Sequence, residues 1–220
     1  MSSRAWLFVG VALVVWCCCC SNRGQQTGPP STPAEIAAFA FAPETEMERT
    51  RANEYAETVL VVLRRELPSL TLLDTRVHDW CEPYTCHLGV DYFFGLDGEL
   101  LPALESIDKV LRRDSLSVEV GVDSVRSGSP ECFELRYELR KPEGTTSGDP
   151  RWMSAVHWID LTGARCPGEI PPVVSAGGGG LIYHVRDKRV DMGALEAGAL
   201  GKHRYLVHVG IGGLYGGRNL

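Results

Sequence analysis

The chain has 220 residues, of which 44% are hydrophobic and 23% are charged, and its formal net charge at pH 7 is −6. This length suits one domain, with or without tails, and the composition is ordinary for a globular protein. A collagen-like, coiled-coil or wholly disordered chain is therefore excluded. Because an acidic protein repels the phosphate backbone, we expect no nucleic-acid partner.

The first twenty residues have the pattern of an export signal. Arg4 precedes an uncharged apolar run at residues 5–16, and four consecutive cysteines follow this run at residues 17–20. As a helix, such a run rises only about 18 Å, too little for a hydrocarbon core of roughly 30 Å. A basic start followed by a short apolar core is typical of a secretory signal. We therefore assign residues 1–20 to a targeting segment outside the fold.

The targeting segment resembles a bacterial lipoprotein signal, in which small residues precede a cysteine that becomes lipidated. Cys18 fits this pattern best, because Val15 stands at position −3 and the small Cys17 at position −1. Cys17, Cys19 and Cys20 are the alternative lipidation sites. A plain secretory signal, or a short anchor with palmitoylated cysteines, is the other interpretation of the segment.

Residues 21–43 are rich in Gly, Gln, Ser, Pro and Ala, a composition typical of a flexible tether. A tether is useful when something is anchored, so it favours the lipoprotein interpretation. The resemblance implies an exported protein that is attached to a membrane through its N-terminal lipid. Its location would be the outer face of the cell membrane, or the periplasm or outer membrane.

Residues 44–176 carry the pattern of one α+β domain. Thr45 and Glu48 form a capping-box pattern at the start of an amphipathic helix, and Pro68 ends it. The other predicted elements are strands at 72–80 and 86–94, a helix at 98–113, and strands at 116–122, 133–139 and 152–161. This order, αββαβββ, predicts a two-layer sandwich with two helices on one face of a mostly antiparallel sheet of about five strands.

The last 44 residues, 177–220, differ in composition from the body. They hold 12 of the 24 glycines and carry more basic than acidic residues. Two apolar patches, at 181–185 and 205–211, are the only strand candidates. The pattern therefore predicts a loosely attached Gly-rich tail or an extra hairpin at the sheet edge.

Four cysteines follow the targeting segment, and we expect them to form two disulfides. Cys81 and Cys86 flank a four-residue turn between two predicted antiparallel strands, where local pairing needs little reorganisation of the chain. The second pair is then Cys132–Cys166. An exported protein meets oxidising conditions, which favour disulfides over free thiols.

A zinc site is the alternative use of the first cysteine pair. His78, Cys81, Cys86 and His87 are four zinc-type ligands within ten residues. The adjacent Cys86 and His87 would point to opposite faces of a strand, which argues against a shared metal. We therefore expect no metal and no cofactor.

An aromatic strand is the best candidate for a binding surface. Trp152, Val156 and Trp158 share one face of the predicted strand, and apolar residues also occupy the other face. One face would cover the core and the other would meet a partner or ligand. Burial of both faces is the alternative. Three histidines near the C-terminus, His184, His203 and His208, are expected to be solvated.

Motifs of nucleotide binding and hydrolysis are missing from the sequence. The glycines of residues 210–216 have the wrong spacing for a dinucleotide loop, and no helix follows them. We therefore expect an exported, lipid-anchored binding or interaction protein of the cell envelope rather than an enzyme. Its partners would be the membrane and an unknown protein or small ligand. A hydrolase with dispersed catalytic residues and a structural envelope protein are the alternatives.

Overall fold

The computed structural model describes residues 32–112, 124–126, 133–139, 152–162, 170, 172–174 and 180–217. The export segment with its cysteines, the strand predicted at 116–122, and both Cys132 and Cys166 lie outside these residues. The helices of the described part are α1 (Pro33–Ala40), α2 (Pro43–Glu66), α3 (Leu100–Leu111) and α4 (Met192–Ala199). Its strands are β1 (Leu70–Cys81), β2 (Thr85–Leu96), β3 (Ser124–Arg126), β4 (Phe133–Leu139), β5 (Trp152–Asp160), β6 (Tyr183–Lys188) and β7 (Tyr205–Gly217).

The strands form one sheet in the order β3-β4-β5-β7-β2-β1-β6. Every neighbouring pair is antiparallel. The α+β fold with an antiparallel sheet is therefore confirmed. The described part of the sheet has seven strands. β1, β2, β4 and β5 match strands predicted for the body, β3 was not predicted, and the C-terminal region adds β6 and β7.

Helix α2 begins before the predicted capping box. Pro43 is its first residue, where a fixed φ and a missing N–H are tolerated, and the preceding Ala42 makes no side-chain cap. Thr45 and Glu48 lie inside the helix and are buried. The interpretation of these two residues as a cap was wrong, although the helix itself and its end near Pro68 are confirmed.

A capping box does exist one helix earlier, within the predicted tether. The Thr32 side chain accepts a hydrogen bond from the Glu35 N–H at 3.3 Å, and the Glu35 carboxylate accepts one from the Thr32 N–H at 3.1 Å. Ile36 and Ala40 of this helix, α1, are fully buried. The tether prediction for 21–43 was therefore wrong from residue 32 onward, because α1 belongs to the core.

Side chains of alternate residues divide the sheet into two faces. The first face, which includes Leu88, Val90, Tyr92 and Phe94 of β2, packs in the main hydrophobic core with α1, α2 and α3. Fully burying a side chain of this size contributes about 1.5–3 kcal/mol to the stability of the fold. This face therefore accounts for most of the apolar burial in the described residues.

Strand β7 corrects the prediction of a loose C-terminal tail or edge hairpin at 177–220. It pairs along its whole length with β2 on one side and along most of it with β5 on the other, so it lies in the middle of the sheet. Val207, Val209 and Ile211 point into the main core and are fully buried. The glycines misled the prediction because they alternate with these large residues and occupy the opposite face. Of the two C-terminal strands, β6 does lie at an edge of the sheet, as the prediction of an edge hairpin expected for this region.

The second face, which includes Gly89, Asp91 and Phe93 of β2, has a smaller apolar cluster around Phe93, Ile159 and Leu206. Partly buried side chains of α4 and the residues just before it pack on this cluster. The predicted arrangement with helices on one face only is thus incomplete. Residues 170 and 172–174, called here the covering segment, also lie on this face. In the described part of the chain, no helix is both long and apolar enough to cross a membrane.

A buried histidine and carboxylate cluster on the second face

Four adjacent strands bring polar side chains together on the second face. The strand register pairs Arg76 of β1 with Asp91 of β2, and His157 of β5 with His208 of β7. Asp91 and His208 are fully buried, and 9% of the Arg76 surface is exposed. Charged and polar groups this deep are retained only when they are partnered, so the contacts among them decide what the cluster can do.

Asp91 is the centre of the cluster. One of its carboxylate oxygens, Oδ1, accepts from His208 Nε2 at 2.8 Å and from the Val173 N–H of the covering segment at 3.1 Å. The other oxygen accepts from Arg76 Nε at 2.8 Å. Arg76 also donates to the Ile170 carbonyl at 3.3 Å. The carboxylate therefore ties three strands and the covering segment together.

The hydrogen bonds and charges around Asp91 favour its ionised form. Burial raises the pKa of the carboxyl, but the hydrogen bond and charge of His208 and the nearby Arg76 outweigh burial, so its pKa is lowered. Asp91 is then an acceptor only, and His208 Nε2 must carry the proton between them.

The imidazole rings of His157 and His208 contact each other through their Nδ1 atoms. His157 Nδ1 lies 3.0 Å from His208 Nδ1, and the ring centroids are 5.2 Å apart. A hydrogen bond between two ring nitrogens needs one nitrogen with a proton and one without. Asp91 therefore fixes which nitrogen of His208 is protonated, and His208 in turn orients the His157 ring.

Aromatic and glycine residues complete the surroundings of the cluster. The Arg76 guanidinium lies 5.4 Å from the centroid of the Phe93 ring, which also approaches His208 at 5.2 Å. A Cβ atom placed on Gly210 would lie 2.7 Å from Val173 and 2.6 Å from Asp91 Oδ1. Glycine is required there, because the covering segment and the carboxylate already occupy that space.

A second buried polar cluster lies on the first face. The Tyr215 hydroxyl donates to Asp79 Oδ1 at 2.7 Å, and Arg49 Nε lies 2.9 Å from that hydroxyl and 3.2 Å from Asp79 Oδ2. Arg49 also donates to the Ala40 carbonyl at 2.7 Å and pairs with Glu46. Burial raises the pKa of Asp79 against the hydrogen bond of Tyr215 and the charge of Arg49. This cluster connects α1, α2, β1 and β7 and has the character of a structural tie.

The disulfide between Cys81 and Cys86 is confirmed. It joins the last residue of β1 to the second residue of β2, and both cysteines are fully buried in the main core. The Cys81 sulfur lies 4.0 Å from the Tyr215 hydroxyl. Cys132 and Cys166 lie outside the described residues, so their pairing stays a prediction.

The zinc alternative is wrong, because its two cysteines are bonded to each other and supply no thiolate. His78 contacts Asp187 of the edge strand at 3.0 Å, whereas His87 stacks on Trp80 with the ring centroids 4.8 Å apart. Burial lowers the pKa of His87, against the nearby charge of Glu82. In the part of the chain that the structure describes, no group of three or more potential ligands could hold a metal ion.

The predicted binding surface is also wrong. Trp152 and Val156 are fully buried and Trp158 is 8% exposed, and all three belong to the main core. The Trp152 indole donates to the Leu214 carbonyl at 3.0 Å and packs edge-on against Tyr55 of α2. This side of β5 faces the helices, so no partner can reach it, and the alternative of burial is the correct one for these three residues.

The three C-terminal histidines have different surroundings. His208 is fully buried, contrary to the expectation of a solvated side chain, because β7 is a central strand. His203 contacts Asp97 at 3.0 Å, and His184 is exposed on the edge strand β6. The solvated interpretation therefore holds for His184 alone.

Sequence reasoning missed the cluster of Asp91, Arg76, His157 and His208. One local signal was present, because Asp91 is the only Asp, Glu, Lys or Arg residue in β2, a strand of mostly apolar residues. A carboxylate in a strand buried on both faces needs a partner. The sequence does not show which partner, because the partners come from three other strands.

Comparison of the chain with known protein families, with curated proteins and with solved structures found no match.

Proposed function

We propose that this chain is an exported, lipid-anchored protein of the cell envelope whose folded domain binds a partner outside the cytoplasm. The observation that carries the proposal is the Cys81–Cys86 disulfide, which is fully buried and tied to Tyr215. Structural disulfides form in oxidising compartments, so the disulfide indicates a location outside the cytoplasm.

The lipid anchor rests on the sequence of the targeting segment. Four cysteines follow a short apolar run, and Cys18 is the best match to a lipidated position. The capping box at Thr32 and Glu35 supports a domain that begins soon after this segment. Fewer residues than first predicted are then left for a tether between Cys18 and α1.

Two cavities among the described residues are small, and neither of them points to a small-molecule ligand. One cavity, of about 230 Å³, lies between the start of α2 and the end of β7 and is lined by Phe39, Thr45 and Gly216, among others. Another, of about 160 Å³, lies between α4 and the end of β5. Both are smaller than the roughly 300–1,000 Å³ of typical small-molecule pockets.

Phe41 is the position at which we would seek the partner. Its side chain is 52% exposed and its ring packs edge-on against Tyr183 of the edge strand, at a centroid distance of 5.9 Å. It is the C-cap residue of α1, the first helix of the described residues after the targeting segment. An exposed aromatic side chain of this kind is a common anchor at protein interfaces.

Metabolic labelling tests the anchor. Cells that express the full chain would be grown with an alkyne-tagged fatty acid, and the labelled protein would be detected after extraction. We expect label on the wild-type chain and its loss in Cys18→Ser, with Cys19→Ser as the matched control. Equal labelling of the two variants contradicts the assignment to Cys18, and an unlabelled wild-type chain contradicts the anchor.

Site-specific cross-linking tests the binding role. A photoreactive phenylalanine analogue at position 41 would be compared with the same analogue at the exposed Glu54 of α2. We expect one discrete adduct from position 41 and none from position 54, in intact cells. The absence of an adduct at both positions, or the same adducts at both, contradicts a partner surface at Phe41.

A hydrolase is the second candidate, and one observation favours it. Asp91, His208 and His157 converge by hydrogen bonds, as the groups of a general base do. The cluster faces the covering segment rather than either cavity described above. Chromogenic ester, phosphoester and glycoside substrates would test this role, and turnover that His208→Gln abolishes would support it over the binding role.

A further inference from the structure

We propose that the contact between His157 and His208 is an acid-sensitive latch that holds the covering segment on the second face. The latch is closed while at most one of the two rings is cationic, and it opens when both are. This inference concerns the folded domain and does not depend on the lipid anchor or on the identity of a partner.

The first step of the argument is the number of protons that the two rings can hold. Asp91 accepts from His208 Nε2, so that nitrogen is protonated in every state of the closed cluster. The two Nδ1 atoms lie 3.0 Å apart and share one proton between them. When both rings are neutral, His157 Nδ1 carries the proton and donates it to His208 Nδ1. When one ring is cationic, there is still a single proton between the two Nδ1 atoms, so the hydrogen bond is kept.

A further proton cannot be accommodated in this geometry. If both rings are imidazolium, each Nδ1 carries a hydrogen, and two N–H groups face each other across 3.0 Å. The hydrogen bond is lost, and two positive charges repel each other across a contact in which His208 is fully buried and His157 is half-buried. In an unfolded chain each ring takes its own proton near pH 6.5, so mild acid opposes the closed contact.

The charged residues around the two rings do not all act in the same direction. From β1 the Arg76 guanidinium adds a positive charge, and from β2 Asp91 supplies the negative one. From β4, the strand register places Glu134 beside His157. The covering segment consists of Ile, Pro and Val at its described positions and adds no charge. With Asp91 already bonded to Arg76 and His208, a second imidazolium gains little from it.

The second step connects the rings to the covering segment. Asp91 Oδ1 accepts from both His208 Nε2 and the Val173 N–H, so both depend on the position of one oxygen. A Cβ atom built on Gly210 would lie within 3.1 Å of Asp91 Oδ1, of Val173 and of the His208 ring. Because His208 and Val173 share this one oxygen, we expect a movement of the His208 ring away from His157 to disturb the hydrogen bond of Val173 as well.

Amide hydrogen exchange at Val173 is the direct test, because the Val173 N–H donates the hydrogen bond to Asp91 that the closed latch maintains. Protection would be measured at about pH 7.5 and about pH 5, corrected for the intrinsic exchange rate. We expect the protection factor of Val173 in the wild-type protein to fall at least about tenfold from the higher pH to the lower one, which corresponds to about 1.4 kcal/mol. In His157→Asn, whose amide can donate in place of Nδ1 but does not titrate, protection should be independent of pH.

His184→Asn is the matched control, since it removes an exposed histidine outside the cluster and should behave as the wild type does. Constant protection of Val173 in the wild type, or an equal loss in His157→Asn, overturns the latch. If His157→Asn does not fold, His208→Gln replaces it, because its side-chain amide can still donate to Asp91 without titrating.

Nitrogen-15 shifts of the ring nitrogens provide an independent reading of the protons. The latch predicts that the second ring of the pair becomes cationic over the same pH range in which Val173 loses its protection. Two cationic rings beneath a fully protected Val173 would overturn it.

Discussion

The two faces of the sheet are stabilised in different ways, although the same strands contribute to both. The first face buries large apolar side chains beneath three helices, and its polar cluster of Arg49, Asp79 and Tyr215 is closed by mutual hydrogen bonds. The second face combines a small apolar cluster with glycines and with the bonds between Asp91 and its partners. The first face therefore depends on burial, and the second depends on a network in which each bond requires the others.

Removal of β7 should have the largest effect, because this strand belongs to both faces. A variant that ends at Arg204 exposes the edges of β2 and β5 and loses the buried Val207, Val209 and Ile211. We expect no cooperative thermal transition, as measured by circular dichroism. A variant that begins at residue 32 and keeps β7 is the control and should unfold cooperatively. A cooperative transition without β7 would show that the two faces do not share this strand as a common support.

Substitution of Arg49 should have the next largest effect and tests the first face. Arg49→Leu leaves Asp79 buried without its ionic partner, which we expect to cost about 3–5 kcal/mol of unfolding free energy in urea titrations. Glu46→Gln is the control, because Glu46 is exposed and its pair with Arg49 contributes only about 0–1 kcal/mol. An equal loss of unfolding free energy in the two variants would mean that the cluster around Asp79 does not stabilise the first face.

A methyl group on Gly212 tests how closely the second face is packed. A Cβ there would lie 2.5 Å from both Val174 Cγ2 and the Leu88 carbonyl oxygen, so Gly212→Ala should cost about 1–3 kcal/mol of unfolding free energy. In Gly198→Ala the new methyl meets nothing within 4 Å, and a helical position should gain about 0.5–1 kcal/mol. If Gly212→Ala is neutral, the covering segment yields and does not pack firmly on this face.

The pH dependence of stability should have opposite signs on the two faces. The pKa of Asp91 is lowered in the folded state, so its contribution is complete above the unfolded pKa of about 3.9 and is lost as the pH falls through the folded value. The pKa of Asp79 is raised, so the folded state binds more protons, and stability falls as the pH rises from about 3.9 through the folded value.

Two asparagine variants separate these contributions. Each carboxyl changes the free energy of unfolding by at most about 1.4 kcal/mol per pH unit. Unfolding free energies measured from low to neutral pH should show a weaker acid loss in Asp91→Asn than in the wild type. In Asp79→Asn the decline toward neutral pH should vanish. The same slopes in both variants would contradict the difference between the faces.

Local sequence patterns predicted the helices α2 and α3, the hairpin of β1 and β2 and the disulfide that closes it, because each depends on neighbours in the chain. They failed at β7, whose glycines suggest a tail until β2 and β5 are known to lie on either side. They failed at Trp152 and Trp158 for the same reason, because a strand pattern does not show which face the helices cover. Helix α1 was hidden by the composition of the residues before it.

The candidate site was out of reach of the sequence for a related reason. Asp91 could be recognised as a charge within an apolar strand, but its partners lie on β1, β5 and β7 and in the covering segment. No spacing along the chain relates these residues. Only the order of the strands brings them together.

That order also sets when the protein can finish folding. Asp91 and His208 lie on neighbouring strands but are 117 residues apart in the chain, so the middle of the sheet is closed by β7, which comes after all the other described strands in the chain. Such distant pairings are slow to form, and until then β2 and β5 present open edges. In a chain that emerges N-terminus first, from a ribosome or across a membrane, the sheet therefore stays incomplete until β7 has emerged. Its open edges must be kept apart from those of other copies during that interval.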